Sequence, residues 1–295
     1  MKVFKPIFIV GVGRSGTSML QSMLNAHREI TFPPETHFIR TYLSKNNEFK
    51  SVKEEILSDP NLLKLDLPLK EIIEDTSDFE SFYKNLLQQY MTNQGKVYVG
   101  DKDPKNIEYL NLIHNIFPEA TIIHIYRDPR AVIASRMKAK WSKNRPLWQH
   151  ILAYKTQLSY GREKGNKLFK NYIEIKYERL VEDAVGELKK LCKSLDLEYD
   201  SNMIEFYKTS GDVVQGEEIS WKQNCFNPVM LQNIDKWKND LTEEQIKDIE
   251  FVLEDEMKLL GYNQIKDNTG FYRFQKHYYK VFIKAVDTLY KFKLN

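Results

Sequence analysis

The run IFIVGVGRSGTSML, Ile7 to Leu20, constrains the fold of this chain more than any other stretch. Ile7–Val10 is apolar and rich in β-branched residues, as a buried strand requires, and Leu20, Met23 and Leu24 recur at helical spacing. Between them Gly11, Gly13 and Gly16 permit a turn tight enough to carry the chain from strand end directly into helix start. A helix entered this way leaves its first N–H groups unbonded and facing the strand end, a ready place for an anion. The spacing fits two templates. Gly11, Gly13 and Gly16 make a GxGxxG, and Gly11 to Ser18 make a GxxxxGK[ST] in which Thr17 replaces the lysine.

Further apolar segments at Val97–Val99, Thr121–Tyr126 and Tyr172–Ile175 predict strands, with a shorter one at Ile30–Phe32. Helical patterns lie between them, marked by Ile107, Leu110, Ile113 and Phe117 and later by Leu188, Leu191 and Leu195. Strands alternating with helices predict an α/β fold, a central parallel sheet flanked by helices with ligands bound beyond the carboxyl ends of the strands. The glycine turn lies there. Residues 49–94 are polar and leucine-containing without strand character, which predicts a helical insertion, placed as a cap over the site. Thr242 to Leu260 predicts a helix ending at Gly261. The tail, about 264–295, interleaves Phe271, Tyr272, Phe274, Tyr278, Tyr279, Phe282, Tyr290 and Phe292 with lysines. It reads as a final helix packed on the domain or as a surface for a membrane or a partner.

Bulk properties narrow the classes. At 295 residues the chain forms one large domain or two small ones, and 42% hydrophobic with 29% charged residues is ordinary for a globular protein. A net charge of +3 is too small to indicate nucleic acid and suits an anionic small ligand in a local basic pocket. Two cysteines, Cys192 and Cys225, make no disulfide framework and fit a reducing compartment. The first strand begins by Ile7, which leaves no room for a signal peptide, and no run is long enough to span a bilayer. The expectation is a soluble cytoplasmic protein.

Each glycine template fails at one essential residue. A dinucleotide fold places an acid roughly 20 residues past the turn, where Glu35 stands, but Pro33 and Pro34 break the strand that should present it. A nucleotide kinase needs the missing lysine and a metal-binding aspartate. Asp128 follows a strand, but Pro129 after it marks a helix start with Asp128 as its N-cap. In the stretch IIHIYRDPRAVIASRMK, Arg127 leaves the strand and Ser135 lies about two helical turns further on, where both can face one groove and hold a second phosphate. Two anion sites call for a ligand with two separated anionic groups.

These two motifs, GVGRSGTS and RDPRAVIAS in this order, resemble those of the sulfotransferases that use 3′-phosphoadenosine 5′-phosphosulfate. The resemblance covers most of residues 5–262 and implies a P-loop nucleotide-hydrolase-like sulfotransferase fold, one domain over 1–295. It implies that Gly13, Arg14, Ser15, Gly16, Thr17 and Ser18 hold the 5′-phosphosulfate and that Arg127 and Ser135 hold the 3′-phosphate. The donor has no γ-phosphate and the family needs no metal, which accounts for Thr17. PPETHFI, Pro33 to Ile39, is similar to the segment carrying the catalytic glutamate of tyrosylprotein and glycan sulfotransferases, and implies Glu35 as base. GDKDPKNIEYL is similar to a strand end of the tyrosylprotein branch and implies Lys102, with Arg14, as stabiliser of the transition state. KYERLVED and NIDKWK are similar to family segments too, which implies Tyr177 near the adenine and Lys236 at the cofactor.

The chain also departs from the tyrosylprotein branch. Ala139 stands where that branch has an arginine, with Lys138 and Lys140 beside it, and Trp221, after Ser220, stands where it has a serine. His37 is a rival base, though on a helix starting near Glu35 it would point elsewhere. The resemblance implies a hydroxyl acceptor on a glycan, a lipid, a small alcohol or a peptide tyrosine, and residues 49–94 and 209–229, expected to flank the mouth of the site, are its expected determinants. The alternatives are a nucleotide kinase, a nicotinamide-dependent oxidoreductase and a non-catalytic nucleotide-binding relative.

Overall fold

The computed structural model describes residues 4–45, 47–216, 219, 222–265 and 270–294, with no account of the side chains of 270–275. Five strands, β1 (Ile7–Val10), β2 (Ile30–Thr31), β3 (Tyr98–Lys102), β4 (Thr121–Tyr126) and β5 (Asn171–Lys176), form one parallel sheet in the order β2-β3-β1-β4-β5. The parallel register aligns the carboxyl ends, with Ile9 opposite Lys102, Val10 opposite His124 and Tyr126 opposite Lys176. The loops carrying the glycine turn, Arg127 and Tyr177 therefore leave the sheet along one edge.

Both faces of the sheet are covered, so β1 reads as a continuous apolar run. Alternation sends Phe8 and Val10 to one face, against Phe38, Phe82 and Phe117, and Ile7 and Ile9 to the other, against Leu20, Leu188 and Met203. Phe8 is wholly buried, and truncating it to alanine should cost about 3–5 kcal/mol. The strand expected at Val97–Val99 starts one residue later and runs to Lys102, because Gly100, Asp101 and Lys102 pair with Ile7, Phe8 and Ile9. Val97 is exposed.

Helix α1 (Thr17–Asn25) follows the glycine turn. The insertion is helical as expected, with α2 (Lys53–Leu57), α3 (Pro60–Leu63), α4 (Leu69–Glu74) and α5 (Phe79–Asn93). It does not cap the site. Ile56, Leu62, Ile72, Phe82 and Leu86 pack instead into the core on the Phe8 face of the sheet. Then come α6 (Leu110–Ile116), α7 (Pro129–Lys138), α8 (Leu147–Leu168), α9 (Tyr177–Glu182) and α10 (Ala184–Ser194). After α11 (Trp237–Asp240), the expected helix to Leu260 is two pieces, α12 (Glu243–Val252) and α13 (Glu254–Leu259), ending at Gly261 with φ 69°. Thr242 opens α12 with a capping box to Gln245.

The tail forms α14 (Gly270–Leu294). It packs on the domain through Ile283 and through Asp287, which accepts from Thr156 Oγ1 on α8 at 2.6 Å. Tyr278, Leu289 and Phe292 stay on its outer face, while the side chains of Phe271, Tyr272 and Phe274 lie outside the described residues. Among the described residues no helix is long and apolar enough to cross a membrane.

Candidate active site

Past Val10 the chain turns, with the Ser15 N–H donating to the Val12 carbonyl at 3.0 Å, and enters α1 through Gly16. Gly16 has φ 98°, and a Cβ there would meet Cδ2 of Tyr177 at 2.4 Å, so only glycine fits. That close approach seats Tyr177, the first residue of α9, against the turn. Arg14 also takes a positive φ, 84°, a conformation uncommon without a special role. Its Nε donates to Ser135 Oγ on α7 at 2.9 Å, which joins the two expected phosphate sites. Arg127 follows β4, stacks its guanidinium 4.2 Å over the Tyr177 ring and donates to the Asn233 carbonyl at 2.6 Å.

Asp128 caps α7 as expected, accepting from the Arg130 N–H at 2.8 Å, and its other oxygen takes the Arg130 guanidinium at 2.7 Å. Arg130 continues to Glu250 at 2.5 Å. Both oxygens of Asp128 are thus engaged inside the protein, where a kinase would need them for its metal. The dinucleotide template fails on topology. β3 separates β2 from β1, so Glu35 does not stand on the strand next to the glycine turn.

Glu35 is buried and ringed by cations. Its Oε1 accepts from Lys102 Nζ and from Lys222 Nζ, the latter at 2.6 Å, and His37 Nδ1 lies 3.7 Å from Oε2. Lys102, wholly buried at the end of β3, also donates to Ser18 Oγ in the turn at 3.2 Å. Strand alternation turns the neighbouring Asp101 to the opposite face, where it accepts from Tyr83 Oη at 2.7 Å and from Asn106 Nδ2 at 3.1 Å. Asp103 caps the turn after β3, accepting from the Lys105 N–H at 2.9 Å, and pairs with His37 and Arg40, each at 2.9 Å. His37 does not point elsewhere. The helical segment begins at Phe38 rather than near Glu35, and His37 takes φ 55°, which brings its ring to both acids.

Burial pushes the Glu35 carboxyl up, but Lys102, Lys222 and His37 outweigh it and hold the group well below the usual carboxylate range. Burial, with the charge of Asp103 adding to it, raises Asp101; the hydrogen bonds of Tyr83 and Asn106 and the nearby His37 oppose this without cancelling it, and the carboxyl is pushed up to about 6. Glu35, His37 and Asp103 bring three donor atoms within 4.8 Å of one another, as a metal site would. Lys102, Lys222 and Arg40 already supply the positive charge those oxygens need.

A cleft of 840 Å³ opens over these groups, lined by Gly13, Arg14, Gly16, Thr17, Ser18, Glu35, Arg127, Ser135 and Tyr177. A smaller one of 260 Å³ adjoins it at Arg14, Arg127 and Ser135 and extends to Lys138, Ala139 and Lys236. The structure thus brings together the residues expected from the sequence, with Ser15 and Lys102 buried beneath the cleft. Lys236 borders the smaller cleft alone. Beside Ala139, Lys138 pairs with Asp240 at 2.5 Å on that cleft's rim, whereas Lys140 lines neither. Ser220 and Trp221 lie outside the described residues. Among the described residues none of 49–94 lines either of these two clefts, while Lys222, Asn224 and Cys225 from the 209–229 loop line the larger one. Lys222 was not foreseen. Its only sequence signal is its place two residues past Ser220, in the loop expected at the mouth.

The sequence model described as "Sulfotransferase family" matches residues 6–201. An uncharacterized protein of Aquifex aeolicus (strain VF5) is 25% identical over 79% of this chain and 30% of its own length. Protein-tyrosine sulfotransferase A of Caenorhabditis elegans is 23% identical over 87% of this chain and 67% of its own. The chain thus spans less than a third of the Aquifex relative. Among solved structures, the sulfotransferase domain of the Synechococcus PCC 7002 olefin synthase superposes with TM-score 0.65 at 18% identity, covering 89% of this chain and 98% of that one. Mouse sulfotransferase SULT7A1, solved with PAP, gives TM-score 0.51 at 16% identity, with 93% and 89% covered. These likenesses place the sheet and its helices in the P-loop-like sulfotransferase fold.

Proposed function

The chain belongs to the sulfotransferase family, and on that premise we propose that it moves a sulfuryl group from 3′-phosphoadenosine 5′-phosphosulfate to a hydroxyl acceptor. The observation that carries this reading is the contact of Glu35 with Lys102, which in turn bonds Ser18 of the anion-binding turn. A proton acceptor and a cation for the leaving group are thereby held next to the place of the phosphosulfate. In the reaction the acceptor oxygen bonds to sulfur as the bond from sulfur to the donor's phosphate oxygen breaks. The hydroxyl proton goes to Glu35, and the negative charge left on the phosphate is met by Lys102 and Arg14. A loose transition state, as in phosphoryl transfer, makes positioning and positive charge the main sources of rate.

The resting site explains the timing. Glu35 clamped between two ammonium groups is ionised but a poor base. A donor anion that draws Lys102 toward itself loosens the clamp and raises the basicity of Glu35 when a proton must be taken. The two anion sites joined by Arg14 support a donor with separated 5′- and 3′-groups, and Tyr177, against the turn and under Arg127, is proposed to lie near its base. A relative named for protein-tyrosine sulfation supports a phenolic acceptor. Cys192 and Cys225, both buried and neither in a disulfide, support a reducing compartment such as the cytoplasm.

Calorimetric titration with 3′-phosphoadenosine 5′-phosphate, with ATP and NAD as controls and no added metal, tests the donor. Tight binding that Arg127→Ala weakens is the expected result. Binding of ATP or NAD in its place would reject the reading. Transfer of labelled sulfate from the full donor to a panel of phenols, sugars and alcohols then tests turnover.

A further inference from the structure

Arg136, one residue beyond Ser135 on α7, is buried at 5% exposure yet lines the larger cleft. Its Nε is enclosed without a hydrogen-bond acceptor, and among the described residues no carboxylate pairs with its guanidinium. The guanidinium lies 5.0 Å from the Trp141 ring, and a Cβ built on Gly13 would come 3.6 Å from Nη1. Its charged neighbours do not neutralise it. Glu108 is the carboxylate that acts on it, but Glu108 already takes Lys105 at 2.8 Å and Gln157 at 2.6 Å. Arg145 adds a second positive charge. Burial and Arg145 together push Arg136 down to about 10, the mark of a guanidinium short of negative charge. A buried arginine with open donors is costly unless an anion comes to it.

We propose that Arg136, backed by Arg145, is an anion-binding subsite in the acceptor part of the cleft, and that the acceptor is a small hydroxyl compound carrying an oxyanion group. The planar guanidinium suits a carboxylate, sulfate or phosphate bound through two donors. Trp141, Trp148 and Tyr290 line the same cleft and give the body of such a molecule an aromatic wall. The inference rests on the sulfuryl-transfer reading for the occupant being an acceptor, and on Arg136 alone for its charge.

The test titrates inorganic sulfate into the protein saturated with 3′-phosphoadenosine 5′-phosphate, following tryptophan fluorescence, with Trp141 as the near reporter. Saturable binding that falls about tenfold or more in Arg136→Gln, with nucleotide affinity unchanged, is expected. Arg145→Gln, an exposed position that does not disturb the core, should weaken sulfate about threefold. Sulfate binding that ignores both substitutions, or no saturable binding in the wild type, overturns the proposal. So does a loss of nucleotide affinity in Arg136→Gln, which would assign Arg136 to the donor. If the nucleotide itself fails to bind the wild type, the sulfuryl-transfer reading falls, while sulfate titrated into the nucleotide-free protein still reads the Arg136 site.

Discussion

Glu35 and Asp101 are both buried carboxylates at the carboxyl edge of the sheet, and their surroundings drive them in opposite directions. Glu35 meets two ammonium groups on one oxygen and is held ionised far below the usual range. Asp101, turned to the other face of β3, meets a phenol and an amide and is pushed up to about 6. Burial acts the same way on both. What differs is whether the hydrogen-bonding partners carry charge, which suits Glu35 to the proposed chemistry and Asp101 to the architecture under it.

The largest effect expected from breaking this contrast is Glu35→Gln. Removal of a positioned base should lower kcat by roughly 10²–10⁴ while leaving nucleotide affinity near that of the wild type. Steady-state rates with a saturating donor check it, and unchanged turnover would remove Glu35 from the mechanism. Stability should respond too. Because the folded Glu35 is depressed, its contribution is present above the ordinary carboxyl range and is lost as the pH falls through it. Glu35→Gln should therefore flatten the acid limb of the stability profile.

Asp101→Asn should show the opposite sign. A folded pKa raised to about 6 stabilises the native state at low pH, and that stability is lost as the pH rises from about 4 to 6. Asparagine mimics the neutral acid at every pH. Urea unfolding should find the variant gaining on the wild type across that window, by up to about 3 kcal/mol at neutral pH. Parallel curves would mean that Asp101 is not held in a neutral environment.

Sequence alone exposed one side of the site much better than the other. Gly13 to Ser18, Arg127 and the Asp128 cap belong to two strand ends running into helix starts, with Ser135 further along the second helix, and all lie along one edge of the sheet. The surroundings of Glu35, the proposed acceptor side, are built by distant packing. Lys222 reaches Glu35 from 187 residues away, a pairing no spacing rule contains. His37 faces Glu35, contrary to the expectation, because its helical segment begins three residues after Glu35. Helix α8 carries no clear apolar period, because buried His150, Thr156 and Gln157 interrupt it. Leucines in the insertion suggested a lid, but apolar periodicity does not say which surface a helix covers.

Lys222→Ala sharpens the comparison at an intermediate size. It removes one of the two cations on Oε1, leaving Glu35 with Lys102 and nearer to the state of Asp101. The carboxyl should rise, so the acid limb of the kcat profile moves to higher pH. Loss of a buried charge-assisted contact should also cost about 1.5–3 kcal/mol of stability. A pH profile superposable on the wild type would show that Lys102 alone sets the base.

The smallest effect belongs to the far end of the proposed donor site. Lys236 is exposed, borders only the smaller cleft and shares it with Arg127, which is braced by Tyr177 and the Asn233 carbonyl. An exposed lysine facing a phosphate contributes about 0.2–1 kcal/mol because water screens it and its long side chain must be ordered. Lys236→Ala should therefore weaken 3′-phosphoadenosine 5′-phosphate by no more than about fivefold, with the difference fading as salt is raised. Arg127→Ala removes a stacked and hydrogen-bonded guanidinium and should cost at least about tenfold at any salt. Equal losses in the two variants would mean that the smaller cleft, rather than the stack on Tyr177, carries the 3′-phosphate.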